Sequence, residues 1–514
     1  MKTHYSFRSI VNLGLIGIVL IALFARFFRI TSNDLVFYDE GMYLGYNRAF
    51  LNLVSQNPPK NITEFLIILN LIFKTALATP KALWFFLINL RVFITGVDSL
   101  CFSRILSALC GIATVVLTFF WAKKYFVSTR IAMISAIILA LLPSHVFYSR
   151  LGMQESLSCL LFLIALYSYV FSKRGFSIGS MVSAILMFAV FLTNYRMIVA
   201  PFFILLFAIF WMIVSQQRFD LRKFLLFIGL YILCFVILGQ IEGGINLKVN
   251  LAWMLNQADE SGQYRQWYNF LSFPYYLFKL ENVFFGILFF SSFYCCYQKK
   301  LRILLPFFIV LLQILLFSFA AEKGARYLCV VLPFACMAVA AMLEELYIIS
   351  SKAATGIFLG MIFGFCFMLI GLVFSSTSYE KAVLFIKKYD PQAKMISTQP
   401  GVENLFVDNE TDVIALPKTI EEVLLLVKKG HRYLIIDPQL YISWTKDDKR
   451  FSQVELDFIK RLRTQAPLRL VLPHFNNAIL ERFVLDHNQD LLRSIHFLAA
   501  SQGKGCIYIY DLGV

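Results

Sequence analysis

The sequence predicts an α-helical polytopic membrane protein of about eleven transmembrane helices with a C-terminal extracytoplasmic α/β domain. Three observations predict it. The 514-residue chain is 59% hydrophobic and only 15% charged, which is more apolar surface than a soluble domain hides. Long apolar runs recur from residue 10 to residue 375. After Phe374 the composition turns soluble-like, with 18 Lys/Arg against 17 Asp/Glu in residues 376–514. The net charge of +16 therefore sits in the membrane part, which holds 29 basic and 14 acidic residues. Such an excess reads as positive-inside topology and contact with anionic lipid, well ahead of nucleic-acid binding. The predicted domains are 1–375, with a first outer loop at about 31–101, and 376–514.

The first predicted span, residues 9–30, follows Lys2 and Arg8. Arg26-Phe27-Phe28-Arg29 follows it in place of a small-residue cleavage site, so it reads as an uncleaved anchor. In the first outer loop, Ile62–Ala78 and Ala82–Thr95 are apolar but short. Lys74, Pro80, Lys81 and Arg91 interrupt them, which predicts interfacial helices. Further spans are predicted at 102–121, 131–147, 154–171, 176–193, 197–215, 223–240, 275–297, 303–321, 327–343 and 353–375. Basic residues cluster at alternate connections, among them Lys123, Lys124, Lys173, Arg174, Arg218, Arg222, Lys299, Lys300 and Lys352. That alternation predicts a cytoplasmic N-terminus and an extracytoplasmic tail in the inner or plasma membrane. Nine cysteines lie in or beside apolar runs and read as small core residues, while Cys506 is alone in the tail. No Cys/His spacing suggests zinc.

The tail alternates apolar strands with amphipathic helices. Strands are predicted at Lys394–Thr398, Arg432–Ile436, Leu468–Leu472 and Cys506–Tyr510, and helices at Tyr379–Lys388, Ile420–Lys429 and Gln453–Arg463. Thr419 with Glu422 and Ser452 with Glu455 form capping boxes, and Gly430 stops the middle helix. No glycine fingerprint or Walker loop follows a strand, and Gly503-Lys504-Gly505 reads as a hairpin turn.

The predicted span interiors hold almost no ionisable residue, which argues against a proton pump or transporter. Ionisable groups gather instead at the predicted outer ends, including Arg26, Arg29, Asp39, Glu40, Arg91, Asp98, Arg104, His145, Arg150, Glu155, Arg196, Glu322, Lys323 and Arg326. That pattern suits a site at the outer boundary, open to one lipid-borne and one water-side substrate. Singly, most of these cations read as interface anchors. The adjacent Asp39 and Glu40 read either as a catalytic pair or as exposed acids capping a helix that starts near Gly41. Glu155 reads as a second functional acid or as the opening residue of the next helix, and His145 as a ligand or a buried hydrogen-bonded histidine.

The order of these features resembles the GT-C superfamily of integral-membrane glycosyltransferases. The branch that it resembles holds the dolichyl-phosphate-mannose–protein mannosyltransferases and the lipid A aminoarabinose transferases. Asp39-Glu40 after the first span resembles that branch's outer-loop acidic pair. Asn57-Pro58-Pro59-Lys60 resembles its His/Lys-Pro-Pro motif, with Asn57 in the basic position. Phe102-Ser103-Arg104 resembles its arginine-bearing span start. The stretch from Pro143 through His145 and Arg150 to Glu155 resembles its third-span hairpin, and Arg326-Tyr327-Leu328 its late Arg-Tyr element. The likeness covers roughly residues 10–345 and leaves out the tail.

The resemblance implies an inverting transfer of sugar from a polyprenyl- or dolichyl-phosphate donor to an extracytoplasmic protein, lipid or glycan. It implies Asp39 as base with Glu40 its rival, and Glu155 orienting the acceptor or supporting the base. Arg104, Arg326 and Lys60 would hold the donor phosphate, with His145, Arg150 and Tyr327 also lining the substrate site. No metal or other cofactor is implied, and no nucleic-acid partner. The competing reading is a non-catalytic transporter of lipid-linked saccharide or a scaffold of an envelope-assembly complex.

Overall fold

The computed structural model describes residues 2–31, 38–56, 59–77, 79, 81–97, 100–215, 218–240, 267–296, 301–319, 324–407, 410–417, 419–436, 461, 464, 466–473 and 506–513. Contacts gather these into two compact units, Met1–Ile30 with Leu51–Ile370, and Thr31–Phe50 with Gly371–Val514.

The first unit is helical. It contains α1 (Lys2–Phe27), then, after the long helix α2 (Tyr38–Gln56) that both units share, α3 (Ile62–Leu77), α4 (Ala82–Thr95) and α5 (Leu100–Phe126). There follow α6 (Thr129–Leu141), α7 (Pro143–Arg150), α8 (Glu155–Val170), α9 (Ile178–Thr193), α10 (Ala200–Ser215) and α11 (Leu221–Gly239). The unit ends with α12 (Ser272–Tyr276), α13 (Val283–Ser291), α14 (Leu301–Ser318), α15 (Leu332–Ile349) and α16 (Ser351–Val373). Among the described residues five helices are long and apolar enough to cross a membrane, and the bent pair α6–α7 makes a sixth if it is one span. This is an integral membrane protein. Trp121 of α5 centres the packing, its ring 5.0–5.9 Å from those of Tyr125, Phe171, Phe207 and Phe334.

Two predicted spans are interrupted, each for a local reason. The span expected at 131–147 bends by 54° between α6 and α7. Leu142 precedes Pro143 and takes the extended conformation that a residue before proline prefers, and Pro143 then opens α7 where its missing N–H costs nothing. The span expected at 275–297 runs through α12 into a π-helical turn, Leu277–Glu281, and breaks at the extended Asn282. The Asn282 side chain then caps α13 by accepting from the Phe284 N–H at 2.8 Å.

The second unit carries a five-stranded sheet of β1 (Lys394–Ser397), β2 (Val413–Ala415), β3 (His431–Ile436), β4 (Leu468–Pro473) and β5 (Cys506–Asp511), ordered β2-β1-β3-β5-β4. Strands β2, β1 and β3 are parallel, and β5 joins antiparallel to both β3 and β4. Ile396, Val423, Leu434, Ile436 and Tyr510 form its core. Around the sheet lie α17 (Tyr379–Tyr389), α18 (Pro400–Glu403) and α19 (Ile420–Lys428). Thr419 caps α19 through the Glu422 N–H, and Gly430 beyond its end takes a φ of +92°. Strand β2 and α18 were not foreseen. Both are too short, at three and four residues, to carry a periodicity. The helix expected at Gln453–Arg463, the Ser452 capping box and the Gly503–Gly505 turn lie outside the described residues, Arg461 excepted.

Candidate active site

In the second unit the two adjacent acids open α2. Asp39 and Glu40 occupy its first turn, where the helix dipole favours negative charge, and both are buried, at 2% and 1% exposure. They are therefore not exposed loop acids. Burying two neighbouring carboxylates is costly, and the fold seats them firmly. Gly41 lets α2 approach α18 closely, since a Cβ there would stand 3.0 Å from Val402 Cγ2. Two turns on, Arg48 donates to the carbonyls of Asn404 and Leu405 at 3.2 and 3.3 Å. A pocket of about 300 Å³ opens here, lined by Met42, Gly45, Tyr46, Gly401 and Asn404 among others.

In the first unit three arginines gather at the C-terminal end of α1. Arg26, fully buried, donates to the carbonyls of Ala22 and Ala140 and meets His145 Nδ1 at 2.7 Å. Arg150 Nη1 reaches the carbonyls of Ala25, Arg26 and Phe28 at 2.9–3.1 Å, and Arg104 Nη1 that of Ile30 at 3.0 Å. These guanidiniums satisfy the carbonyls that a helix end leaves open. Gly111 makes room for the cluster, because a Cβ there would lie 2.8 Å from Ser149 Cβ and 3.0 Å from Arg26 Nε. His145 is a buried hydrogen-bonded histidine, with Nε2 lacking a partner.

Glu155, buried at 2% exposure, is the first residue of α8. Gln154 Nε2 donates to its Oε1 at 3.1 Å. Helix α8 packs against the 3₁₀ turn Ala325–Val331 ahead of α15, where Cys159 Sγ donates to the Val330 carbonyl at 3.8 Å. Arg326 is buried at 7% exposure, and its guanidinium carbon stands 5.6 Å from the Tyr327 ring. The guanidinium of Arg196 lies over the same ring at 4.6 Å. Gln313 Nε2 fixes this turn by donating to the Tyr327 carbonyl at 2.7 Å. Two guanidiniums around one tyrosine make a strongly cationic wall.

The structure thus brings Glu155 and Arg326 to one neighbourhood, and Arg26, Arg104, His145 and Arg150 to another around the end of α1. Asp39 and Glu40 sit with the tail elements of the second unit. Lys60 is exposed, its N–H bonded to Glu64 at 2.7 Å. Asp98, Glu322 and Lys323 lie outside the described residues. Within the predicted span 275–297 one acid, Glu281, is buried at 3% exposure. Its Oε2 accepts from the Ser144 N–H at 3.2 Å and so caps α7, whose own N-terminal flank Leu142 has no side chain for the task. The Phe-Lys-Leu-Glu-Asn interruption of that apolar run was the available signal. Arg196, expected between two spans, lies on a 3₁₀ turn, Tyr195–Val199, that Asn194 caps.

The fold has known counterparts. The chain aligns with the oligosaccharyltransferase of Archaeoglobus fulgidus tethered to an acceptor peptide containing the NVT sequon. The TM-score is 0.57 at 10% identity, over 87% of this chain and 72% of that one. It aligns with ArnT from Cupriavidus metallidurans in the apo state at a TM-score of 0.53 and 11% identity, over 90% of this chain and 96% of that one. This is a GT-C fold. The archaeal oligosaccharyltransferase AglB in complex with an inhibitory peptide and a dolichol-phosphate gives a TM-score of 0.53 at 10% identity, over 85% of this chain and 71% of that one. Residues 78–239 match the sequence profile of the dolichyl-phosphate-mannose-protein mannosyltransferase family. That stretch of the GT-C fold carries Arg104, His145, Arg150, Glu155 and Arg196. No curated protein sequence matches the chain. Among the described residues no group of three or more His, Cys, Asp or Glu side chains is placed to hold a metal ion.

Proposed function

We propose that this protein is an inverting glycosyltransferase that moves a sugar from a polyprenyl- or dolichyl-phosphate donor to an extracytoplasmic acceptor. The observation that carries the reading is the buried acid pair Asp39-Glu40, in the first turn of the helix that follows the first span of a GT-C fold. The profile match and the dolichol-phosphate bound by AglB support the lipid-phosphate donor. An acceptor hydroxyl is a poor nucleophile until a carboxylate takes its proton, and Asp39, or its neighbour Glu40, is the base. The oxygen then forms its bond to the anomeric carbon on the face opposite the donor phosphate. The old carbon–oxygen bond breaks with its electron pair going to the phosphate, and configuration inverts. Glu155 orients the acceptor. Arg326, joined by Arg196, meets the charge that grows on the departing lipid phosphate. Arg104 and Arg150 hold the end of α1, and so act on the substrate site by shaping it.

Transfer from a defined polyprenyl-phosphate sugar in proteoliposomes tests this reading. Asp39→Asn or Glu40→Gln abolishes transfer while the protein still elutes and melts as the parent does. Arg326→Ala lowers transfer efficiency by one to two powers of ten, the equivalent of a charge-assisted contact of about 1.5–3 kcal/mol. Arg326→Lys recovers part of it, because a point charge replaces a planar fork. Sugar transfer from a nucleotide donor in the absence of prenyl phosphate overturns the proposal.

A further inference from the structure

We infer that this protein holds an anionic phospholipid by its phosphate, in a pocket at the far end of α8 from Glu155. Glu155 opens that helix and Tyr169 nearly closes it, so helical rise alone separates the two places by roughly 20 Å. The pocket, about 80 Å³, is lined by Tyr169, Ser172, Arg174, Trp211, Arg218 and Lys223 among others. That volume admits a phosphate group.

Its charges are unbalanced. Arg174, Arg218 and Lys223 face a single carboxylate, Asp220. Asp220 is committed to the backbone, accepting from the N–H groups of Lys223 at 3.1 Å and Gly175 at 2.7 Å. Arg174 Nε pairs with its Oδ2 at 3.9 Å, and Arg174 Nη2 donates to the Arg218 carbonyl at 3.1 Å. Lys223 is the informative member. It is buried at 7% exposure, yet among the described residues its ammonium makes one hydrogen bond, to the Ser172 carbonyl at 3.3 Å, and stands 4.7 Å over the Tyr169 ring. An ammonium has three donors; Asp220 offsets part of its charge, and a bound anion would take up the donors that the Ser172 carbonyl leaves. The start of α11, two residues away, adds the positive end of a helix dipole.

The surroundings say that the phosphate arrives on a lipid. The pocket's apolar wall comes from α10. Of the five candidate spans, the two containing α10 and α11 bury the least of their apolar window, 28% and 17%. Ile209 and Ile213 on one, and Leu225 and Ile232 on the other, stand exposed. Acyl chains therefore have an open apolar surface that begins at the phosphate pocket. The site also lies among basic connections that the charge alternation assigns to the cytoplasmic side, where anionic lipid concentrates.

Native mass spectrometry of the full chain in neutral detergent tests the inference, with phosphatidylglycerol and phosphatidylcholine of identical acyl chains as probes. The parent retains phosphatidylglycerol roughly ten-fold over phosphatidylcholine. Lys223→Gln loses that preference and Lys223→Arg keeps it. Arg218→Gln, at an exposed position that leaves folding intact, weakens it. Lys381→Gln, on the surface of the tail, leaves it unchanged. Equal retention of the two lipids by the parent overturns the proposal, as does an undiminished preference in folded Arg218→Gln and Lys223→Gln. If excess inorganic phosphate displaces phosphatidylglycerol completely, the pocket serves free phosphate and the lipid assignment fails.

Discussion

Removing the Glu281 carboxyl is the sharpest test of how this membrane unit positions its polar residues. Glu281 Oε2 accepts from Ser144 N–H at 3.2 Å, and both residues are buried. Helix α7 has only eight residues and starts at a proline, so this one acceptor holds a large share of its N-terminal donors. Glu281→Leu leaves the Ser144 N–H buried without a partner, at a cost of about 1–3 kcal/mol. Glu281→Gln keeps an acceptor oxygen in place and costs less, about 1 kcal/mol. Because α7 carries His145 and Arg150, the leucine variant also loosens the end of α1. The assay is thermal unfolding in detergent, run beside sugar transfer. The expected order of melting temperature is parent, then glutamine, then leucine, with transfer falling in the same order. Equal melting of the leucine variant and the parent refutes the capping role. Equal loss in both variants shows that charge, not the hydrogen bond, matters there.

Two further outcomes follow from close packing and from pairing. Gly111→Ala forces a methyl against Ser149 and Arg26, atoms that lie 2.8 and 3.0 Å from its Cβ, and should destabilise the membrane unit by about 1–3 kcal/mol, read as a lower melting temperature. In the tail, Asp511 accepts two hydrogen bonds from Arg432 at 2.8 and 2.9 Å, with Arg469 at 2.7 Å and the Gly513 N–H at 2.9 Å. The Arg432 guanidinium foremost holds its carboxyl well below the ordinary value of 3.8. That stability is fully present above the unfolded value and is lost as pH falls through the lower, folded one. Limited proteolysis across pH should therefore find Asp511→Asn weaker than the parent from pH 7 down to about 4, with the gap closing only below that.

Much of the fold was legible because its signals are periodic and strong. The helices at 62–77 and 82–95 and four tail strands stand within two residues of their expected bounds. Apolar runs and capping residues announce themselves locally. The breaks at Leu142 and Asn282 were not, although Pro143 and the Lys279–Asn282 interruption mark both places. An apolar run read by its mean hides a single polar residue. The candidate site was read only as a set of residues expected at the outer ends of the spans. That Arg104 and Arg150 bind carbonyls of 25–30 depends on where α1 ends against α5 and α7, which no spacing in the sequence encodes. Glu281 was missed because its partner is a backbone N–H 137 positions away. The seat of α2 against α18 is still more remote, joining Arg48 to a carbonyl 356 positions later.

That last distance has a consequence in time. A ribosome adding about 5–20 residues per second needs roughly 20–70 s to pass from Arg48 to Asn404. Throughout that interval the helix that opens with Asp39 and Glu40 lacks the surface against which Gly41 and Arg48 are fitted. If the acid pair is the base, the nascent chain is inert while its spans are being inserted. Its chemistry switches on only when the final quarter of the polypeptide has been made and folded. Synthesis itself would then act as the timer, and a chain cut short before Pro400 would be a harmless one.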